Sequence, residues 1–225
     1  MKNKGESYEH SANQQIDKQH YLRAESLNDK ASPSLPDRTS IAGVMNTNHD
    51  LKQLLIERSV RTGDFILASG KSSSFYVDAR MTTMSPEGLA LIGPLSLELM
   101  DEKGWKPDSI GWLTLGADPV SFSISRASVD RLPLVRAFTV RKQAKTHGVG
   151  NLIEGPFKPD DKVVIVEDVV TTGKSALQAI DAVTQAGANV LGVLAVVNRN
   201  EGGAEAIRDR GFETISLVTI ADLLG

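Results

Sequence analysis

The chain contains no cysteine among its 225 residues. That absence excludes disulfides, thiolate-ligated zinc, iron–sulfur centres and thiol nucleophiles together, and it fits a reducing cytosol. Aromatic residues make up only 5% of the chain. Long apolar runs are also missing. The longest strongly apolar stretch, Ala188 to Val197, is far short of the roughly 18 residues that a membrane span needs. The N-terminal Met-Lys-Asn-Lys is followed by no apolar segment, so no signal peptide is read. There is no surplus of positive charge: the net charge is −3 and the pI is near 5.8, which argues against a nucleic-acid-coating protein. What remains is a soluble chain long enough for one domain with a substantial core and an appendage.

The appendage is residues 1–45. It is polar, poor in Ile, Val, Leu and Phe, and mixed in charge, with six Lys/Arg and six Asp/Glu. Such a segment buries too little apolar area to offset its ordering entropy, so a disordered extension is expected. A short helix around Tyr21 to Leu27 would need a partner, and Met45 is an alternative natural start. From Asn48 onward the pattern is that of a folded domain. Leu51, Leu54, Leu55 and Val60 fall near helical spacing, with Asn48 or Asp50 as the cap. Phe65 to Leu67 and Phe75 to Val77 are β-like runs separated by a Ser/Gly/Lys turn, and Ser85-Pro86-Glu87 opens a helix that Gly104 closes. Strands are then expected at 110–113, 133–140, 162–166, 190–197 and 214–218, alternating with helices at 119–129, 175–186, 204–210 and 220–224. Strands this rich in Val and Ile are buried on both faces. The expected fold is therefore α/β: an open, mostly parallel sheet with helices on both faces, and residues 48–80 as a small N-terminal lobe near the strand ends.

One segment carries chemistry. Val163-Val164-Ile165-Val166 ends in Glu167-Asp168-Val169-Val170, and Thr171-Thr172-Gly173-Lys174-Ser175 then opens onto a helix. Ligands of such sheets bind at the carboxyl ends of strands. Backbone N–H groups of the turn, with the following helix N-terminus, form an anion cradle suited to phosphate. Thr171, Thr172 and Ser175 add hydroxyls, and Gly173 allows close approach. It is not a Walker A loop, because Asp168 stands where that pattern needs glycine. A carboxylate pair beside a phosphate cradle makes sense if the carboxylates accept hydrogen bonds from vicinal sugar hydroxyls. The plainer reading is acidic residues near a helix start, with Ser/Thr capping. Further upstream, Arg141, Lys142, Lys145 and His147 place four potential cations within seven residues, followed by Gly148 and Gly150. Either this is a solvated face, with His147 an ordinary surface histidine, or it is a mobile lid over an anionic ligand.

The thirteen residues from Val163 to Ser175 resemble the phosphoribosyl-diphosphate (PRPP) motif of type I phosphoribosyltransferases. Within that group residues 48–225 resemble orotate phosphoribosyltransferases. The narrower resemblance rests on Ser69-Gly70-Lys71-Ser72-Ser73-Ser74-Phe75-Tyr76-Val77-Asp78, on the lid-like Arg141-Lys142-Gln143-Ala144-Lys145-Thr146-His147-Gly148, and on Asn198-Arg199 after the next strand. The chain departs from some members in having Ala68 where they have Lys, and Gly116-Ala117-Asp118 where they have a Tyr-Lys-Gly turn. Lys71 is a candidate replacement for one lost cation. Glu167 replaces a first Asp.

The resemblance implies the type I phosphoribosyltransferase fold with its N-terminal hood, and Mg²⁺-dependent reaction of PRPP with orotate in a cytoplasmic homodimer. Lys145 and Asp168 would be catalytic. Arg141, Lys142, Lys145 and His147 would close on pyrophosphate across the dimer interface. Glu167, Asp168 and residues Val169, Val170, Thr171, Thr172, Gly173, Lys174 and Ser175 would bind PRPP, and Thr171 with Arg199 the orotate edge. No protein metal ligands, nucleic acid or membrane are implied. Plainer readings stand beside these: Arg199 pairing with Glu201, Phe75 and Tyr76 as core, and Asp118 as a helix cap. A purine phosphoribosyltransferase and a non-catalytic PRPP-binding regulator are the alternative functions.

Overall fold

In the computed structural model, the described residues are 47–66, 72–142 and 152–225. The N-terminal extension, its candidate helix, Ala68, Lys71, and Lys145 and His147 of the lid segment lie outside them. Helix α1 (Asn48–Ser59) begins one residue earlier than its expected caps allow. Thr47 is the N-cap, accepting from the Asp50 N–H, while the Asp50 carboxylate accepts from the Thr47 N–H at 3.0 Å. This reciprocal capping box satisfies two otherwise unpaired donors. Val60 does not continue the helix; it starts strand β1 (Val60–Ile66), which pairs antiparallel with β2 (Ser72–Val77) to form the separate N-terminal hairpin. A single turn, α2 (Arg80–Thr83), and the Ser85-capped α3 (Pro86–Glu102) follow.

The rest is β3 (Ser109–Leu113), α4 (Asp118–Ala127), β4 (Arg136–Val140), β5 (Ile153–Glu154), β6 (Lys162–Val170), α5 (Lys174–Gln185), β7 (Asn189–Asn198), α6 (Gly203–Arg208), β8 (Thr214–Thr219) and α7 (Ile220–Leu224). The six-stranded sheet has the order β5-β4-β3-β6-β7-β8, parallel throughout except for the antiparallel edge strand β5. The pleat sends alternate residues of β6 to opposite faces. Val163 and Ile165 join Phe138, Ala176, Ala179, Ile180 and Val183 in the core beneath α5. Val164 and Val166, also fully buried, face the other layer, where Leu91, Ile92, Val120 and Ile124 lie. Trp112 belongs to that layer, meeting Phe122 of α4 edge-on at 5.3 Å.

One difference from expectation bears on function. Strand β6 does not stop at Val166 but runs four residues further, because Val169 and Val170 pair with Val197 and Asn198 of β7. Its other neighbour, β3, pairs with it only from Ser109↔Val163 to Gly111↔Ile165. Glu167 and Asp168 therefore stand on a strand whose β3 side has opened. The chain leaves β3 toward β4 on one side and returns to β6 on the other, so this opening is the switch point of the sheet, where ligands of open α/β folds bind.

Candidate functional site

Two turns flank that opening. After β6, Thr171 to Gly173 lead into α5, with Gly173 at the N-cap in a left-handed conformation (φ 74°). The first amides of a helix have no intrahelical acceptor and point outward with the positive end of the helix dipole. They open onto a depression of about 140 Å³ lined by Glu167 and residues 169–175. The residues expected to cradle a phosphate thus form one concave surface. After β3, Gly116 lies against the carboxylate of Asp168: a Cβ there would stand 2.7 Å from Asp168 Oδ1.

The acidic pair is strongly perturbed. Burial, and then the neighbouring charge of Asp168, push the Glu167 carboxyl up to about 8, and its Oε1 is buried without a hydrogen-bond partner. Burial also raises Asp168, opposed by the backbone N–H groups of Val169 and Asp168 and by the charge of Arg80. At neutral pH Glu167 retains much of its proton, which limits repulsion between adjacent carboxylates and leaves a hydrogen-bond donor facing the cradle. This couples to stability. The unfolded chain ionises Glu167 near its ordinary value, about 4.3, whereas the folded chain keeps the proton up to about 8. The stabilising contribution of that proton is complete below the lower value and is lost as pH rises through the upper one. Glu167→Gln should accordingly match the wild type in thermal midpoint near pH 4 and exceed it at pH 9. Parallel pH profiles would refute the shift.

Other expected residues converge partly. Arg199 is buried at 8% exposure just past β7, and its guanidinium lies over the Phe75 ring, 5.3 Å from the centroid. Nη2 is also 2.6 Å from Glu201 Oε1. The expected pairing with Glu201 is therefore present, and the guanidinium also packs on the hairpin's Phe75 ring. Phe75 and Tyr76 are not core: Phe75 is half-buried and Tyr76 is 37% exposed, because their hairpin stands apart from the main sheet. Arg141, at the end of β4, pairs with Glu154 at 2.9 Å, and the carbonyl of exposed Lys142 accepts from Gln178 of α5. Asp118 does not cap α4. It is the first helical residue, Ala117 occupies the cap position without a side-chain bond, and Asp118 Oδ2 is buried without a partner.

Sequence reasoning missed Arg80, which grips Asp78 through Nε and Nη2 at 2.8 and 3.0 Å and projects its charge onto Asp168. The Asp-x-Arg spacing after β2 was the available signal. Gly203 was missed too, although the Gly202-Gly203 doublet marks it: a Cβ at 203 would stand 2.7 Å from the Thr171 carbonyl oxygen. Among the described residues no group of three His, Cys, Asp or Glu side chains is placed to hold a metal ion, and no helix is long and apolar enough to cross a membrane. Mg²⁺ there would need no protein cage, because it takes its oxygen ligands readily from substrate phosphates and water.

A helix-start cradle beside two carboxylates at the switch point of a parallel sheet defines a phosphoribosyltransferase-type fold, and the phosphoribosyl transferase domain model matches residues 83–221. An orotate phosphoribosyltransferase of Aquifex aeolicus is 43% identical over 184 residues, covering 80% of this chain and all of that protein. One of Pyrococcus furiosus is 40% identical, over 77% of this chain and 92% of the relative. The crystal structure of Mycobacterium tuberculosis orotate phosphoribosyltransferase in complex with PRPP is 39% identical, with a TM-score of 0.67 over 78% of this chain and 98% of that one. The chain belongs to the orotate phosphoribosyltransferase family. An adenine phosphoribosyltransferase of Leishmania tarentolae, 18% identical with a TM-score of 0.54, shares the fold alone.

Proposed function

We propose that the chain transfers ribose 5-phosphate from PRPP to orotate, giving orotidine 5′-monophosphate and pyrophosphate in UMP synthesis. The observation that carries this reading is the cradle of residues 171–175 beside Glu167 and Asp168, in a chain of this family. The anomeric C–O bond breaks and its electron pair leaves with pyrophosphate, while a ring nitrogen of orotate passes its proton to the departing pyrophosphate or to solvent and forms the new C–N bond. Positive charge develops on the ribose, as in glycoside cleavage. The helix-start amides with Thr171, Thr172 and Ser175 hold the 5′-phosphate. Glu167 and Asp168 hold the ribose hydroxyls against that fixed point, so the anomeric carbon is placed by both ends of the sugar. Arg199 and Thr171 fix the orotate edge, with Phe75 behind the guanidinium. Arg141, Lys142, Lys145 and His147 balance charge on the leaving group. When bound, Mg²⁺ would supply further neutralisation of the diphosphate, drawing its oxygen ligands mainly from the substrate and water.

The assembly is read as a cytoplasmic homodimer sharing the lid across its interface, supported by the exposed Met81, Met84, Leu115 and Phe122; light scattering should give twice the 24.2 kDa chain mass. The deciding assay follows the loss of orotate absorbance with PRPP and Mg²⁺, wild type beside Lys145→Ala. Turnover with orotate, none with adenine or hypoxanthine, and a fall of about 100-fold or more in kcat for the variant are expected. PRPP binding without turnover would move the reading to a non-catalytic regulator.

A further inference from the structure

Arg199 is unusual for a buried cation. Its Nε and Nη2 have no hydrogen-bond partner, although Nη2 lies 2.6 Å from Glu201 Oε1. The contact is one of charge without hydrogen-bond alignment, so Glu201 neutralises the guanidinium without satisfying its fork of donors. Burial makes such donors costly to leave unpaired, and a planar fork is matched by a coplanar carboxylate. The Phe75 ring fixes the guanidinium plane from one side.

Glu201 itself is loosely held. Its side chain is 36% exposed. It sits between two residues in left-handed conformations, Asn200 (φ 53°) and Gly202 (φ 91°). The Asn200 N–H is anchored to the Asn198 side chain at 2.9 Å, but nothing lies within 4 Å of where a Gly202 Cβ would be. The turn is tied at the strand and open at Glu201.

We propose that Glu201 is a resident carboxylate on Arg199, standing where the acidic edge of the planar substrate binds, so that substrate entry exchanges a misaligned carboxylate for an aligned one. This rests on the placement of orotate at Arg199 given above. Glu201 then sets specificity. A carboxylate-bearing base must displace it to gain a better-matched pair, whereas a neutral base such as uracil leaves the Arg199–Glu201 contact in place, so Glu201 narrows the margin between the two. The same exchange weakens orotate binding, since the existing contact must be given up first.

The test is steady-state kinetics of the full chain, with KM for orotate and for PRPP measured separately in wild type, Glu201→Gln, Glu201→Ala, Arg199→Lys and the Arg199→Lys/Glu201→Gln double variant. Removal of this partly exposed pair should lower the orotate KM roughly two- to fivefold in both Glu201 variants, leave the PRPP KM unmoved, and widen the preference for orotate over uracil in competition binding. Arg199→Lys should raise the orotate KM, and adding Glu201→Gln to it should give no further gain, because Glu201 acts through the guanidinium. If wild type turns over orotate while the Glu201 variants keep or raise its KM, the exchange is overturned and the functional reading stands. If wild type does not turn over orotate, both fall.

Discussion

Gly203→Val should leave the chain folded and lower kcat/KM for PRPP about 100-fold or more. A Cβ at this position would stand 2.7 Å from the Thr171 carbonyl oxygen, 2.7 Å from Val170 Cγ1 and 2.9 Å from the Gly173 nitrogen. Two of these are backbone atoms of the cradle, so no rotamer change relieves the clash. Gly173 faces the same constraint from the other side, its Cβ position being 2.8 Å from the Gly203 carbonyl oxygen. The cradle turn and the start of α6 are thus packed backbone to backbone, and a side chain between them must push Thr171 to Gly173 outward. A displacement of about 1 Å in a substrate-positioning element costs on the order of 100-fold in rate. Gly203 lacks the positive φ of its neighbour, so the substitution tests space rather than backbone strain. Gly202→Ala provides the contrast. Its φ of 91° strains any side chain, yet the space around it is open, so it should cost about 1 kcal/mol of stability and leave the PRPP KM in place. PRPP kinetics of the two variants, with inorganic phosphate binding by calorimetry, separate the effects. Wild-type kinetics in Gly203→Val would mean that the cradle does not hold the 5′-phosphate.

The sheet and the cradle were legible in the sequence because both rest on local patterns. Val163 to Val166 is a run that only a strand buried on both faces can use, and Thr171 to Ser175 has the composition of a turn opening a helix. The pattern failed where pairing partners decide. Nothing local says that β6 continues through Glu167 and Asp168; that follows from the ladder offered by β7. The single-turn α2 and the two-residue β5 are too short for any period to register. Asp118 looked like a cap because Asp before Pro at a helix start usually is one, but the chain enters α4 with Ala117 at that position. The contacts that organise the site, Phe75 under Arg199 and Gly116 against Asp168, join distant segments, and only the fold brings them together.

Asp161→Ala should be the most destabilising change outside the apolar core, and it should leave the orotate and PRPP KM values alone. Asp161 is 6% exposed just before β6. Its Oδ1 accepts from Arg136 Nη2 at 2.7 Å, and its Oδ2 accepts from Ser109 Oγ and from the Lys158 N–H, both at 3.0 Å. Ser109 opens β3, Arg136 opens β4 and Lys162 opens β6, so one carboxylate ties three parallel strands together at the end opposite the cradle. Removing it leaves Arg136 Nη2, the Ser109 hydroxyl and the Lys158 N–H without this acceptor, although Arg136 Nη1 still donates to the Pro156 carbonyl, a loss on the order of 2–4 kcal/mol. Against a total stability of about 5–15 kcal/mol, that is a large fraction. Burial alone would raise this carboxyl, but the Arg136 charge, the Lys158 amide and the Ser109 hydroxyl together hold it below its ordinary value. A lowered carboxyl stabilises fully above the unfolded value, near 3.9, and loses that contribution as pH falls through the folded one. The gap between wild type and Asp161→Ala in urea unfolding should therefore be wide at pH 7 and begin to close below about pH 4. A difference under about 1 kcal/mol at pH 7 would show that the carboxylate does little more than offset its own desolvation, as some buried ion pairs do.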